Sequence, residues 1–213
     1  MARLLLKALQ RVSRRPRAER GPGKKMSRTL KVVAVSGSLQ TPSRTLVLVE
    51  ALLERLAERL PLEVRLVKLT DIGPDFAGVL RREELPAEVR EQIAAIETAD
   101  LLIAASPVYR ASYTGLFKHL FDFVHYEALR NRPVLLAATG GSERHALVID
   151  HQLRPLFGFF QANSLPLGVY ATESDFDNYR IVSPALEERI ERALEPLVAL
   201  FDRPALRQPA SLV

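Results

Sequence analysis

The amino-acid sequence predicts an α/β fold in which a doubly wound parallel sheet forms the centre of one domain. From Leu30 onward, short apolar runs alternate with longer stretches whose apolar residues recur at helical spacing, which is typical of βαβ units. The chain has 213 residues, 47% hydrophobic and 26% charged, which suits one globular domain with a sizeable core. This domain is predicted at residues 27–205, between a basic extension at 1–26 and a tail at 206–213.

Five short apolar runs predict the strands of the sheet, at residues 30–35, 62–69, 101–105, 133–138 and 165–170. Apolar residues that recur every three or four positions predict helices at 46–60, 87–96, 113–124, 147–160 and 186–201. Pro74 is expected to break the chain after the second strand. Five βα repeats in a chain of this size predict a flavodoxin-like sheet with strand order 2-1-3-4-5.

The net charge of +5 comes from the N-terminal extension. Residues 1–26 hold nine Lys and Arg residues against one acidic residue, Glu19, so the remainder carries a charge of −3. A mildly acidic body does not attract phosphate backbones, and no nucleic-acid partner is expected. The extension is predicted to be disordered, a misassigned start or an expression remnant; a basic arm for an acidic partner and an organelle presequence stay open. Lys7 interrupts its apolar stretch, which argues against a signal peptide.

The composition excludes several classes of protein. The chain has no cysteine, so it has no disulfide, no thiolate zinc site and no cysteine nucleophile. Its uninterrupted apolar runs are far shorter than the roughly 18 residues that span a bilayer. We therefore expect a cytoplasmic protein with no membrane partner.

The loop after the first strand, at residues 36–45, carries the strongest functional signal. It is rich in hydroxyl groups and leads into a helix, whose first N–H groups carry a partial positive charge that binds phosphate. We call this loop the phosphate cup. Gly37 is its only glycine and no lysine closes it, so it is neither a Walker A loop nor a dinucleotide fingerprint. We therefore expect a terminal phosphomonoester rather than a pyrophosphate; an ordinary Ser/Thr helix cap explains only part of the pattern.

Two further loops are predicted at the same edge of the sheet. Residues 107–110, the ring wall, offer a proline and an aromatic side chain that suit a planar heterocycle. Residues 139–142, the glycine loop, contain paired glycines that let backbone N–H groups approach a ligand closely. Either loop alone could be a plain turn. Because they follow strands one, three and four, the three loops are expected to converge on one crevice.

These loops resemble the NAD(P)H-dependent FMN reductases. The resemblance rests on residues 35–45, on 106–115 and on 138–142 with His145, runs from about residue 31 to 200, and is strongest to the reductases of two-component alkanesulfonate or methanesulfonate monooxygenase systems. It implies phosphate contacts at Ser36, Ser38, Ser43, Arg44 and Thr45. It implies an isoalloxazine wall at Pro107, Val108, Tyr109 and Arg110. It implies ring-edge contacts at Thr139, Gly140, Gly141 and Ser142. Gln40, also assigned to the cofactor site, stands where many relatives have arginine.

The resemblance also implies the reaction and the partners. Hydride would pass from NADPH or NADH to FMN, a substrate or loosely bound cofactor, and reduced FMN would leave for a flavin-dependent monooxygenase. The cofactors supply the reactivity, so no catalytic acid or base and no metal site is expected. The resemblance further implies a homodimer or homotetramer and a π-type irregularity in the helix beginning near Tyr113, at an oligomer interface.

The sequence leaves other functions open and disfavours some. A quinone or azo reductase would hold FMN permanently, a flavodoxin-type electron carrier would present a more acidic face, and a flavin-sensing or nucleotide-sensing module would share the phosphate cup. A hydrolase is disfavoured because Ser38 lacks a nucleophile-elbow motif. His119, Asp122 and His125 are spread too widely around a predicted helix to suit a metal ion.

Overall fold

A computed structural model describes residues 28–201 of the protein. The predicted extension at 1–26 and tail at 206–213 lie outside the described residues. The domain boundaries at 27 and 205 therefore stay predictions.

Six strands build the main sheet: β1 (Leu30–Ser36), β2 (Leu62–Lys68), β3 (Leu101–Pro107), β4 (Pro133–Gly140), β5 (Asn163–Ser164) and β6 (Val169–Thr172). Two more form a hairpin, β7 (Phe176–Asp177) and β8 (Arg180–Ile181). The α-helices are α1 (Arg44–Ala57), α2 (Leu69–Phe76), α3 (Ala87–Thr98), α4 (Gly115–Asp122), α5 (Arg154–Phe159) and α6 (Pro184–Phe201).

The strand order of the main sheet is β2-β1-β3-β4-β5, with β6 also paired to β4, and all of these pairs are parallel. The predicted order 2-1-3-4-5 is confirmed. In this register Ser36 lies beside Ala105, and Pro107 lies beside Thr139. The carboxyl ends of β1, β3 and β4 therefore end nearly level, and the three loops that follow them begin side by side.

Each face of the sheet is covered by helices, as a doubly wound fold requires. Val33 and Val35 point into one core, which also contains apolar residues of α2, α3, α4 and α5. Val32 and Ala34 point into a second core with residues of α1 and α6. Because neighbouring residues of one strand feed opposite cores, the central strands are apolar on both sides.

Pro74 does not break the chain as predicted. It lies inside α2, where Leu69, Ile72 and Phe76 are buried on one face. Burial of this face outweighs the single backbone hydrogen bond that the proline removes.

The predicted fifth strand at 165–170 is wrong in detail, since the structure has two short strands, β5 and β6, on either side of residues 165–168. Pro166 has no N–H to donate to a neighbouring strand. A Cβ on Gly168 would lie 2.6 Å from the side chain of Ile149. The chain therefore passes close to its neighbour here instead of continuing the ladder.

The predicted π-type irregularity near Tyr113 is also wrong. The helix after Tyr113 is α-helical over its described length and begins only at Gly115, because Thr114 caps it by accepting a hydrogen bond from the Phe117 N–H. A π turn lies instead at Ile149–Leu153, within the segment predicted as the helix at 147–160. It ends two residues before Pro155, whose ring crowds the carbonyl four residues earlier, and the wider turn accommodates this.

The β7–β8 hairpin has no counterpart in the sequence prediction. Its strands are two residues each, too short for an alternating pattern to be recognised. Within residues 28–201, no helix is both long and apolar enough to cross a membrane.

Candidate functional site

Hydrogen bonds connect the three loops at the carboxyl edge of the sheet. The Gly37 N–H donates to Ala105 O at 2.7 Å, and the Thr114 hydroxyl donates to Gly37 O at 2.9 Å. The Val108 N–H donates to Thr139 O at 2.8 Å. The hydroxyls of Thr45 and Thr139 are 2.6 Å apart. The phosphate cup, the ring wall and the glycine loop therefore form one hydrogen-bonded assembly.

The phosphate cup ends in a helix N-terminus with free donors. Ser43 caps α1, and its Oγ accepts from the Leu46 N–H at 3.2 Å. The first intrahelical bond runs from the Val47 N–H to Ser43 O. The N–H groups of Arg44 and Thr45 belong to the first turn, which has no intrahelical acceptors for them. Within the described part of the chain the Ser43 hydroxyl accepts a hydrogen bond but donates none, so this end of α1 can bind an anion.

Gly37 is required where the cup leaves the sheet. A Cβ at this position would lie 2.7 Å from the Phe117 ring and 3.0 Å from Ala105 O. Glycine therefore allows the cup to pack directly against β3 and α4. Ser38 then turns the chain, because its Oγ donates to Gln40 O and accepts from the Gln40 N–H.

The ring wall ends in a tight turn with unusual backbone angles. Arg110 and Ala111 have φ angles of 50° and 68°, and the turn is closed by two hydrogen bonds between the backbones of Tyr109 and Ser112. Left-handed angles at non-glycine residues persist only where the surroundings enforce them, and they are concentrated at functional sites. A cavity of about 360 Å³ lies beside this turn and is lined by Val108, Tyr109 and Arg110.

The glycine loop is held in place from β6. The Tyr170 hydroxyl donates to Ser142 O at 2.6 Å, and a Cβ on Gly140 would lie only 2.1 Å from that hydroxyl oxygen. Burial, together with the negative charge of Glu143, raises the pKa of Tyr170, so the hydroxyl keeps its proton and continues to donate. Among residues 28–201, no atom lies within 4 Å of a Cβ built on Gly141, and Gly141 is exposed, so a ligand can approach its backbone.

A second cavity, of about 490 Å³, lies between the glycine loop and the turn after β6. Its lining includes the carboxylates of Glu143 and Glu173. Glu173 also forms an ion pair with Arg44 of the phosphate cup. The turn after β6 is therefore a fourth part of this edge.

The predicted site residues differ in how exposed they are. Gln40, Tyr109, Arg110 and Gly141 are exposed, and Ser43, Arg44, Pro107, Val108, Gly140 and Ser142 are partly buried. The buried ones are Ser36, Ser38, Thr45 and Thr139. The hydroxyls of Thr45 and Thr139 form a hydrogen bond with each other, so these two residues connect the phosphate cup to the glycine loop. The contacts of all fourteen positions with FMN stay predictions.

Tyr113 is half-buried next to the site. Its ring lies 5.7 Å from that of Phe117, and it packs against the core below the ring wall. The predicted role of Tyr113 in an oligomer interface stays a prediction.

Sequence reasoning missed four residues that shape this edge: Tyr170, Gln152, Glu173 and Tyr179. Gln152 accepts a hydrogen bond from Ser112, and the Tyr179 ring lies under the Arg44 guanidinium. These residues are distant in sequence from the loops they contact. Only Tyr170 carried a local signal, because it is the last residue of the predicted strand at 165–170.

The sequence pattern of the NADPH-dependent FMN reductase family matches residues 30–177. The chain is 61% identical over 176 residues to an NADH-dependent FMN reductase SfnF of Pseudomonas fluorescens (strain Pf0-1), covering 83% of this chain and 94% of that protein. It is 58% identical to an FMN reductase (NADPH) of Pseudomonas aeruginosa (strain PAO1), covering 83% of this chain and 95% of that one.

Two solved structures are also similar to this chain. A crystal structure described as the apo form of NADH:FMN oxidoreductase (EMOB) superimposes with a TM-score of 0.74 at 30% identity, covering 83% of this chain and 92% of that chain. A WrbA-like flavodoxin from Agrobacterium tumefaciens superimposes with a TM-score of 0.57 at 16% identity, covering 81% and 99%, and shows the fold alone.

The predicted flavodoxin-like fold and the predicted resemblance are thus confirmed. The predicted class of enzyme, an oxidoreductase that uses FMN and a nicotinamide nucleotide, is the class of this family. The chain belongs to the NADPH-dependent FMN reductase family.

Proposed function

We propose that the protein reduces FMN with NADH or NADPH and releases the reduced FMN to a flavin-dependent monooxygenase that acts on a sulfonate. The observation that supports this best is the hydrogen-bonded assembly of the three loops beside the open N-terminus of α1. The proposal includes both NADH and NADPH because relatives of similar sequence identity are named for one or the other.

The residues present fit the phosphate end of FMN. The N–H groups of Arg44 and Thr45 at the start of α1, the Ser43 hydroxyl and the Arg44 guanidinium are all donors. A phosphate there would meet the positive end of the helix dipole. The cup holds one charged side chain and one glycine, which suits a single terminal phosphate.

The residues present also fit a flat ring. The cavity at the ring wall is bordered by the exposed Tyr109 side chain and by the turn at Arg110 and Ala111. The exposed backbone of Gly141 lies in the neighbouring glycine loop. Bound FMN supplies the redox chemistry, because its ring accepts a hydride from the nicotinamide. The ring wall would orient the flavin and exclude water from one side, while N–H groups of the glycine loop would stabilise negative charge at its polar edge.

The open site supports FMN as an exchanging substrate. Tyr109 and Arg110 are exposed, and the cavity that they line opens to solvent. An open site lets a flavin leave after each turnover, which a reductase that feeds a second enzyme needs.

We also propose that the protein acts as a homodimer or homotetramer. The segment around the π turn exposes Leu147 and Phe159, with 61% and 68% of their surfaces accessible, and Tyr113 lies half-buried nearby. Sedimentation of the purified protein tests this: an assembly of two or four chains is expected, and a monomer would contradict it.

Steady-state oxidation of NADH and NADPH by the purified full chain, with and without free FMN, tests the proposed reaction. We expect little flavin absorbance per subunit and nicotinamide oxidation that requires added FMN. A protein already saturated with FMN that does not exchange would indicate a quinone or azo reductase. A protein that binds FMN but oxidises neither nucleotide would indicate an electron carrier or a sensing module.

A further inference from the structure

Arg44 contacts a segment that is remote in sequence from the phosphate cup. Its guanidinium donates to the carboxylate of Glu173, and its Cζ lies 5.7 Å from the centre of the Tyr179 ring. Glu173 begins the turn after β6, and Tyr179 lies in the turn of the β7–β8 hairpin. Both partners of Arg44 thus come from residues 173–179.

The backbone of this segment is tightly held. Thr172 donates to the Asp175 carboxylate through its N–H at 2.7 Å and through its hydroxyl at 2.9 Å. Phe176 is buried in the core and anchors the hairpin. Asn178 and Tyr179 have φ angles of 43° and 61°, a region that a bulky aromatic residue rarely adopts. The fold therefore enforces the position of the groups that face Arg44.

Arg44 and Glu173 carry opposite charges. Arg44 is the only charged residue of the phosphate cup, and Glu173 brings a negative charge to the same guanidinium. Within residues 28–201 Arg44 makes no other side-chain hydrogen bond to protein. Both partners are partly exposed, so the ion pair is weak and can be displaced. A phosphate dianion at the cup would compete with Glu173 for Arg44.

We propose that Glu173 is a positioning residue that lowers the affinity for FMN, because its carboxylate competes with the FMN phosphate for Arg44. The consequence is faster exchange of the flavin. This inference rests on the proposed function, since it requires FMN to bind through its phosphate at the cup.

Flavin binding without nicotinamide tests the proposal, with flavin fluorescence as the readout. In Glu173→Gln the dissociation constant for FMN should fall about three- to five-fold, the range set by exposed ion pairs. The value for riboflavin, which lacks the phosphate, should change by less than two-fold. In an Arg44→Ala background, Glu173→Gln should no longer tighten FMN binding, because the competed group is gone.

Asp177→Asn is the matched control. It removes a carboxylate from the same segment, residues 173–179, where the side chain accepts a hydrogen bond from Asn178 and does not contact Arg44, and it should shift FMN affinity by less than two-fold. Unchanged or weaker FMN binding in Glu173→Gln, with a native circular dichroism spectrum, would overturn the proposal. So would equal tightening for riboflavin, or tightening that persists without Arg44. Failure of the wild-type protein to bind FMN would instead overturn the proposed function, and this inference with it.

Discussion

The two edges of the central sheet use polar residues in different ways. At the amino edge, before β3, polar groups pair with one another. Arg82 donates two hydrogen bonds to the Glu97 carboxylate, at 2.7 and 2.9 Å, and the His125 N–H donates a third at 2.8 Å. Asp100 accepts from the Arg28 side chain and from the Lys31 N–H. Such pairing fixes helices and strands to each other.

At the carboxyl edge, polar groups are left available. The start of α1 has N–H donors without intrahelical partners, the ring wall keeps Arg110 and Ala111 in left-handed angles, and two cavities open there. The contrast fits a division in which the amino edge stabilises the fold, while the carboxyl edge is where doubly wound sheets place their ligand sites. Changes at the amino edge should therefore lower the free energy of unfolding with little effect on FMN affinity, and changes at the carboxyl edge should do the reverse.

The largest effect is expected for Gly140→Ala, where the two properties meet. The new Cβ would lie 2.1 Å from the Tyr170 hydroxyl, so the glycine loop or the tyrosine must move. Overpacking of this kind costs roughly 2 to 3 kcal/mol. Urea unfolding measures that loss, and FMN binding should weaken in parallel because the loop moves.

A double variant identifies the cause of that effect. Gly140→Ala combined with Tyr170→Phe removes the clashing hydroxyl and should recover part of the lost stability. If the double variant is as unstable as Gly140→Ala, contact with the hydroxyl is not the cause.

The next largest effect is expected for Ser43→Ala in the phosphate cup. A hydrogen bond to a charged phosphate contributes about 1.5 to 3 kcal/mol, so the dissociation constant for FMN should rise roughly 10- to 100-fold. Titration with riboflavin should show a much smaller change. Because Ser43 also caps α1, a loss of about 1 kcal/mol in unfolding free energy is expected. Equal loss of affinity for both flavins would contradict the phosphate contact.

Glu97→Gln tests the amino edge. It leaves the Arg82 guanidinium without its carboxylate and should lower the free energy of unfolding by about 1 to 2 kcal/mol. The affinity for FMN should stay within two-fold of wild type, since Glu97 lies at the opposite edge of the sheet. A marked loss of FMN affinity in a folded Glu97→Gln protein would break the division between the edges.

The smallest effect is the pH dependence of this pair. Burial alone would raise the pKa of Glu97, but hydrogen bonds from Arg82 and from the His125 backbone outweigh it and hold the pKa below its ordinary value of 4.5. The unfolded chain therefore binds the proton more readily, so the contribution of Glu97 to stability is present above the unfolded pKa and is lost as the pH falls through the folded pKa. Unfolding curves of wild type and Glu97→Gln should approach each other below about pH 4.5. A constant difference down to pH 3 would show that the carboxylate charge is not the source.

The sequence by itself determined the order of β1 to β4, the places of helices α1, α3, α4, α5 and α6, and the three loops of the site, because these depend on local periodicity and on short motifs. The central strands are apolar on both faces, and the helices carry one apolar face, so each could be recognised within a few residues. The phosphate cup could be recognised because its hydroxyls, its single glycine and the helix after it are contiguous in the chain.

Only the tertiary structure decided which distant groups fix those loops. Arg44 forms an ion pair with Glu173, which lies 129 residues away in the chain. Position 140 requires glycine only because the Tyr170 side chain lies against it. The same is true of the divided edge strand beside Gly168 and of the π turn before Pro155, where close packing and a missing N–H override local propensity. Such contacts depend on which strands lie next to each other in the sheet. Periodicity along the chain does not encode that arrangement.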